Sequence, residues 1–203
     1  MTASTMSLED AKSANLRVVE DAGRGDQAVH DLVVAYQANR RTGTASTKIR
    51  AEVRGSRRKM YRQKGTGHAR HGDGKGVQHK GGGVVFGPRP RDYSKAVPRK
   101  VRKLALRRVL GDRIAEGSVQ LVDDFAIADG RTKSFVKAIN GLTGEAKVLV
   151  VGKEFGDETY LAARNAGWAL LETAANVNVE QLASYHAIIL TRDALEVLAA
   201  RTA

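Results

Sequence analysis

The residues with the clearest chemistry in this chain are lysines and arginines, and most of them fall in one stretch. Between Arg40 and Arg108 the sequence has 22 Lys and Arg but only three acids, Glu52, Asp73 and Asp92. Eleven of the 21 glycines lie in positions 43–87. Guanidinium and ammonium groups are suited to phosphate, and glycine lets backbone N–H groups approach a polyanion closely. The stretch therefore predicts contact with phosphates.

The charge is distributed unevenly along the 203 residues. The stretch carries +19, whereas the rest of the chain has 12 basic and 19 acidic residues, and the total is +12. Such asymmetry indicates a polyanionic partner, whose binding depends steeply on salt. We predict RNA rather than DNA, because no helix-turn-helix, zinc finger or basic zipper is present and a glycine-broken arm suits the cavities of folded RNA.

The predicted RNA contacts are cations spread over the whole stretch. A helix beginning at Pro98 is expected to present the last three of them as a second basic patch, and Tyr61 and Phe86 are expected to stack on bases. Glycines such as Gly65, Gly67 and those at positions 81–83 would permit close packing against RNA. The predicted contacts are Arg41, Arg50, Arg54, Arg57, Arg58, Lys59, Arg62, Lys64, Arg70, Arg89, Arg91, Arg99, Arg102 and Lys103.

Two residue sets raise catalytic or metal-binding alternatives. His68, His71 and His79 lie among cations that would repel a metal ion, and the chain has no cysteine, so we predict no metal site. Asp123 and Asp124 follow a predicted strand, but no phosphate loop, dinucleotide fingerprint or nucleophile elbow accompanies them. We predict no enzyme and no cofactor. An RNA-acting enzyme that depends on this acid pair stays as the alternative.

Outside the stretch, apolar runs alternate with helical periodicity, which predicts an α/β fold with a mostly parallel sheet flanked by helices. A long extended basic loop interrupts it. Residues 1–42 and 92–203 are expected to form one globular domain, and residues 43–91 the loop. The predicted strands are 16–19, 119–122, 147–151, 169–172 and 187–191. The predicted helices are 26–39, 98 to about 117, 131–140, 158–165, 179–183 and a terminal helix from 192.

Residues 44–83 contain few side chains that could build a core. The larger apolar ones are Ile49, Val53, Met60, Tyr61 and Val77. A segment this polar and like-charged cannot offset its ordering entropy by burial, so we predict that it gains its structure on binding RNA. The chain also lacks cysteines, a signal segment and any apolar run of ~20 residues, which predicts a protein of the cell interior with no membrane partner.

Three blocks of the stretch resemble a known family. They are RRTGTAST at positions 40–47, RKMYRQKGTGHAR at positions 58–70 and GGGVVFGPRPR at positions 81–91. Their order and density are similar to those of the bacterial family of large-subunit ribosomal protein four, and the flanking pattern agrees along the chain.

The resemblance implies a structural protein of the cytoplasmic ribosome that binds large-subunit ribosomal RNA and assists early assembly. It implies that the loop penetrates the RNA and approaches the polypeptide exit tunnel, next to neighbouring ribosomal proteins and the nascent polypeptide. The loop tip would be Arg62, Gln63, Lys64, Gly65, Thr66, Gly67, His68, Ala69 and Arg70, with Lys64 at the tunnel wall. Some family members repress the messenger RNA of their own operon, which is the second function that the resemblance allows.

Overall fold

A computed structural model describes residues 3–21 and 23–203, and internal contacts divide the chain into two units. The first, here the α/β unit, runs up to Gln37 and resumes at Lys95–Ala203. The second, here the basic segment, is Ala38–Ser94. All helices and strands of the described residues lie in the α/β unit, except that the last two residues of one helix fall in the basic segment.

The elements alternate along the chain much as the hydrophobic pattern predicts. In order they are β1 (Ala3–Thr5), α1 (Leu8–Ser13), α2 (Asp26–Asn39), α3 (Arg99–Ala115), β2 (Val119–Val122), α4 (Thr132–Leu142), β3 (Val148–Gly152), α5 (Asp157–Ala163), β4 (Ala169–Thr173), α6 (Val179–Ser184), β5 (Ala187–Thr191) and α7 (Arg192–Thr202).

The five strands form one sheet in the order β1-β2-β5-β3-β4. All neighbours are parallel except β1 and β2, which are antiparallel. Every residue of β3 and β5 is buried, because both sheet faces are covered. Leu149 and Val151 belong to one core cluster, while Val148 and Val150 belong to the other, as the alternation of side chains along a strand requires.

Helices cover the two faces unequally. The larger cluster takes buried side chains from α1, α2, α3, α6 and α7, and the smaller one takes them from α4 and α5. Two short helices begin with a capping box, in which Ser7 pairs with Asp10 and Asn178 with Gln181. The α/β prediction, with a mostly parallel sheet and flanking helices, is confirmed.

One local prediction near the N-terminus is wrong, and one strand there has no predicted counterpart. The run Leu16–Val19 is irregular rather than a strand, and the backbone N–H of Val19 donates instead to the carbonyl of Arg107 in α3, at 3.3 Å. The sheet takes its first strand from Ala3–Thr5, whose residues are all exposed and whose sequence gives no strand signal. Pairing with the edge of β2 creates this strand, so only tertiary structure reveals it.

The start of α3 also differs slightly from the prediction. Pro98 is the N-cap residue, with ψ of 147°, and the helix proper begins at Arg99. None of the helices in residues 3–21 and 23–203 is long and apolar enough to cross a membrane.

Replacing Gly111 by alanine is expected to destabilise the α/β unit, although alanine is the better helix former. A Cβ at this buried position of α3 would lie 2.6 Å from the main-chain oxygen of Val19. Overpacking of this kind costs ~1–3 kcal/mol. Gly141 in α4 has nothing within 4 Å of its Cβ position, so Gly141→Ala should instead add ~0.5–1 kcal/mol of stability. Urea unfolding measures the free energy of unfolding of both variants. Equal changes in that free energy would contradict the close approach of Gly111 to Val19.

Candidate nucleic-acid interface

Residues 40–98 contain neither helix nor strand, and backbone hydrogen bonds join the two ends of the basic segment. The N–H of Arg91 donates to the carbonyl of Gly43 at 3.2 Å, that of Thr47 to Pro88 at 3.0 Å, and that of Val84 to Lys48 at 2.9 Å. No member of the buried apolar core lies between Ala35 and Ala105. The segment is therefore held by polar contacts and close backbone packing.

Two arginines lie over the ring of one tyrosine where the ends of the segment meet. The guanidinium carbons of Arg41 and Arg91 lie 3.7 and 4.3 Å from the ring centroid of Tyr93. A side-chain hydrogen bond with Arg91 and the nearby positive charges lower the pKa of the Tyr93 hydroxyl. Gly43 adopts φ of +66°, and a Cβ there would lie 2.0 Å from the carbonyl oxygen of Arg91. Glycine is required at this junction.

Glu52 and Asp73 are each held by a cation of the same segment. Glu52 accepts from the guanidinium of Arg89 at 2.9 Å and from the backbone of Ile49 at 3.1 Å, and these bonds lower the pKa of its carboxyl. Asp73 is only 9% exposed and accepts two bonds of 3.1 Å from Arg50. Both carboxylates are therefore already neutralised.

The third acid, Asp92, is engaged by its near neighbours in sequence. It accepts from the hydroxyl and the backbone N–H of Ser94, which lowers the pKa of its carboxyl. With all three carboxylates engaged, most of the remaining cations of the segment have no internal counter-charge.

Every cation that the sequence predicts as an RNA contact is exposed in the structure. Some hold the segment together: Lys59 donates to Gln63 at 2.6 Å and to the carbonyl of His71 at 3.0 Å, and Arg62 donates to Gly65 at 2.9 Å. Others have side chains that bond to no other described residue. These are Arg54, Arg57, Arg58, Lys64, Arg70 and Arg99.

Some cations of the basic patch expected on α3 form hydrogen bonds within the protein. Arg102 donates to the carbonyl of Val97 at 2.8 Å, and Lys103 donates to the main-chain oxygen of Ala203 at 2.9 Å. Arg107, further along α3, donates to the carbonyl of Thr202 at 2.7 Å. Cations of α3 thus donate hydrogen bonds to the last carbonyls of α7. The number of lysines and arginines in the sequence does not distinguish this role from RNA binding.

The two aromatic residues proposed for stacking differ in availability. Phe86 is fully exposed, so its ring is free of the protein, and its backbone adopts φ of +54°. Tyr61 is half-buried, its hydroxyl donates to the carbonyl of Ala69, and its ring centroid lies 5.7 Å from that of His68. Phe86 is the better stacking candidate.

The alternative chemistries find little support in the geometry. Asp123 forms an ion pair of 2.7 Å with Arg192, and Asp124 accepts from the backbone N–H of Phe125 at 2.7 Å, as turn-forming acids do. The rings of His71 and His79 lie 5.1 Å apart. Throughout residues 3–21 and 23–203, however, no three His, Cys, Asp or Glu side chains are grouped so as to hold a metal ion.

The basic segment has no apolar core and has more cations than carboxylates. A clustered excess of lysine and arginine of this kind is typical of proteins that contact nucleic acid. The match to known proteins is more specific. A model of the ribosomal protein L4/L1 family matches residues 18–201, and the chain belongs to that family.

Several relatives match most of the chain. It is 44% identical to the large ribosomal subunit protein uL4 of Desulfatibacillum aliphaticivorans, over 85% of this chain and 84% of the relative. The uL4 of Deinococcus deserti is 46% identical, over 83% of each chain. That of Desulfosudis oleivorans is 40% identical over 97% of this chain and 99% of its own length.

Proposed function

We propose that this chain is a structural constituent of the large subunit of the cytoplasmic ribosome, and that it binds ribosomal RNA and assists early subunit assembly. Its family and the names of its relatives support this role. The single observation that carries the RNA-binding mode is the charge balance of the basic segment. The carboxylates there are all engaged, while exposed cations such as Arg54, Arg57 and Lys64 have no counter-charge on any residue that the structure describes.

Phosphate oxygens of RNA supply the missing counter-charge in this proposal, and binding releases the counterions of the RNA. The free side chains Arg54, Arg57, Arg58, Lys64 and Arg70 contribute most, because they break no internal bond to reach a phosphate. Arg99 on α3 is likewise free, whereas the other predicted cations contribute less because each first gives up a partner in the protein. Phe86 stacks on an unpaired base. Asp123 and Asp124 have no catalytic role.

Hydrogen exchange of the full chain, with and without large-subunit ribosomal RNA, tests the proposal. Backbone amides of residues 44–83 are expected to exchange faster in the free protein, where no apolar core covers them, than in the complex. Amides of β3 and β5 serve as the internal control, since both strands are fully buried and should be protected in both states. Equal exchange of residues 44–83 in both states would contradict RNA binding by this segment.

The tip of the segment, residues 62–70, lines part of the exit tunnel in this proposal. Gly65 and Gly67 adopt φ of +76° and +67°, which turns the backbone tightly there. Lys64, immediately before the first of these glycines, is exposed with a free ammonium group. The neighbouring ribosomal proteins at the tunnel and the nascent polypeptide are then partners of this tip.

A single cysteine at position 64 tests the tunnel placement, because the chain has no cysteine of its own. In ribosomes that carry the Lys64→Cys protein, a thiol cross-linker is expected to couple the protein to a nascent chain of suitable length. Lys153→Cys, at an exposed position after β3, is the matched control and should give no such product. Equal coupling by both variants, or no coupling by the Lys64→Cys protein, argues against a tip in the tunnel.

A further inference from the structure

An open cavity of about 730 Å³ lies entirely within the basic segment. Residues 53–56 and 58–62 form one part of its wall, and Gly74, Lys75 and Gly81 form the other. Positive charge dominates this lining, which includes Arg54, Arg58 and Lys75 and contains no acid.

Lys75 differs from the other lysines of the segment because it is buried, with only 6% of its surface exposed. Its stem runs beside Gly55, where an added Cβ would lie 3.5 Å from the Lys75 Cε atom. Its backbone carbonyl accepts from Gly83 at 3.0 Å, which fixes the main chain at this point. The side chain is thus held in place within the cavity wall rather than free in solvent.

Among the residues that the structure describes, none supplies a counter-charge to the ammonium group of Lys75. The acid nearest in sequence, Asp73, is taken by Arg50, and no hydrogen bond or ion pair joins the Lys75 Nζ to any described residue. The Nζ atom is not one of the fully buried, unpartnered side-chain atoms of the described residues, so the ammonium opens onto the cavity, where a bound anion supplies its counter-charge. The side chains of Arg54 and Arg58, on the other part of the wall, also bond to no described residue, so three unpaired cationic groups line the cavity.

We propose that this cavity receives one phosphate group of an RNA backbone, with Lys75 as the cation held in its wall and Arg54 and Arg58 as further contacts. This inference rests on the proposed function and names the residues that bind one particular phosphate group. An ammonium with three donors and two guanidinium forks suits the tetrahedral oxygens of phosphate, and the glycines of the wall leave room for the adjoining sugar.

Chemical labelling of the wild-type chain tests the site without any substitution. Reductive methylation of lysine amines is followed by mass spectrometry, with pyrophosphate as the probe and sodium chloride of equal ionic strength as the reference. Pyrophosphate is expected to slow the methylation of Lys75 severalfold more than that of Lys80, an exposed lysine of the same segment. If pyrophosphate protects the two lysines equally or not at all, the phosphate site is overturned.

Two charge-matched variants identify the source of the phosphate. Lys75→Met is expected to lower the affinity of the full chain for large-subunit ribosomal RNA by about tenfold more than Lys80→Met does, because the packed Lys75 side chain loses less rotamer freedom on binding a phosphate than the exposed Lys80 side chain does. If Lys75 is protected by pyrophosphate but the two variants bind RNA equally, the cavity takes free phosphate and the assignment to RNA is wrong. In that case wild-type RNA binding persists, and the proposed function stands. If the wild-type chain fails to bind the RNA, the proposed function falls and this inference with it.

Discussion

Replacing residues 44–90 with a short glycine-serine linker is expected to leave the α/β unit folded and to lower its affinity for large-subunit ribosomal RNA by ~10³-fold or more near physiological salt. The linker can be short because Gly43 and Arg91 are already joined by a backbone hydrogen bond of 3.2 Å. The fold should survive because no core residue lies between Ala35 and Ala105. Urea unfolding and filter binding at several salt concentrations measure the two effects.

The size of the expected effect follows from the charge that is removed. The deleted residues contain 12 of the 34 lysines and arginines of the chain. Each phosphate interaction that the deletion removes should reduce the slope of log affinity against log salt by ~0.7–0.9. The control for loss of positive charge elsewhere is a double variant, Lys133→Gln with Lys137→Gln, on the exposed side of α4. Its affinity for ribosomal RNA should change little. A deletion that keeps the affinity and salt slope of the full chain would refute RNA binding by the segment.

Gly43→Ala should produce the largest effect of any single alanine in the segment. The backbone there adopts φ of +66°, which costs a residue with a Cβ ~1–2 kcal/mol, and the new atom would lie 2.0 Å from the carbonyl oxygen of Arg91. The strain breaks the junction that Arg41, Arg91 and Tyr93 form. We expect at least a ~10-fold loss of ribosomal RNA affinity, since about 1.4 kcal/mol corresponds to a factor of ten.

Gly72→Ala is the matched control for that variant. Gly72 lies in the same segment, has nothing within 4 Å of its Cβ position and does not need a positive φ. Its RNA affinity should equal that of the unmodified chain in filter binding. If both variants bind as the unmodified chain does, the close packing at Gly43 is irrelevant to binding. If both variants bind RNA equally weakly, the loss is not caused by the close approach of Gly43 to Arg91, because Gly72 makes no such approach.

Local sequence patterns determine most of the fold. The apolar runs at Val148–Val151 and Ile188–Leu190 predict buried parallel strands, because a strand covered on both faces needs apolar residues at every position. The helix predicted to run from a cap at Asp26 to about Asn39 is found at Asp26–Asn39. These elements are predictable since their signal is a short-range periodicity that needs no knowledge of partners. The charge surplus and the three sequence blocks likewise determine the family and the kind of partner proposed here.

Only the tertiary structure decides which side chains of the cationic stretch are available. Lys103 bonds to a residue 100 positions away and Arg107 to one 95 positions away, so neither partner can be read from local sequence. The exposed strand Ala3–Thr5 exists because the edge of β2 pairs with it. Lys75 is buried while Phe86 is exposed, the reverse of what their polarity predicts. Hydrogen bonding and burial depend on groups that folding brings together. Residue type and spacing show only the charge, polarity and local conformational preference of each residue.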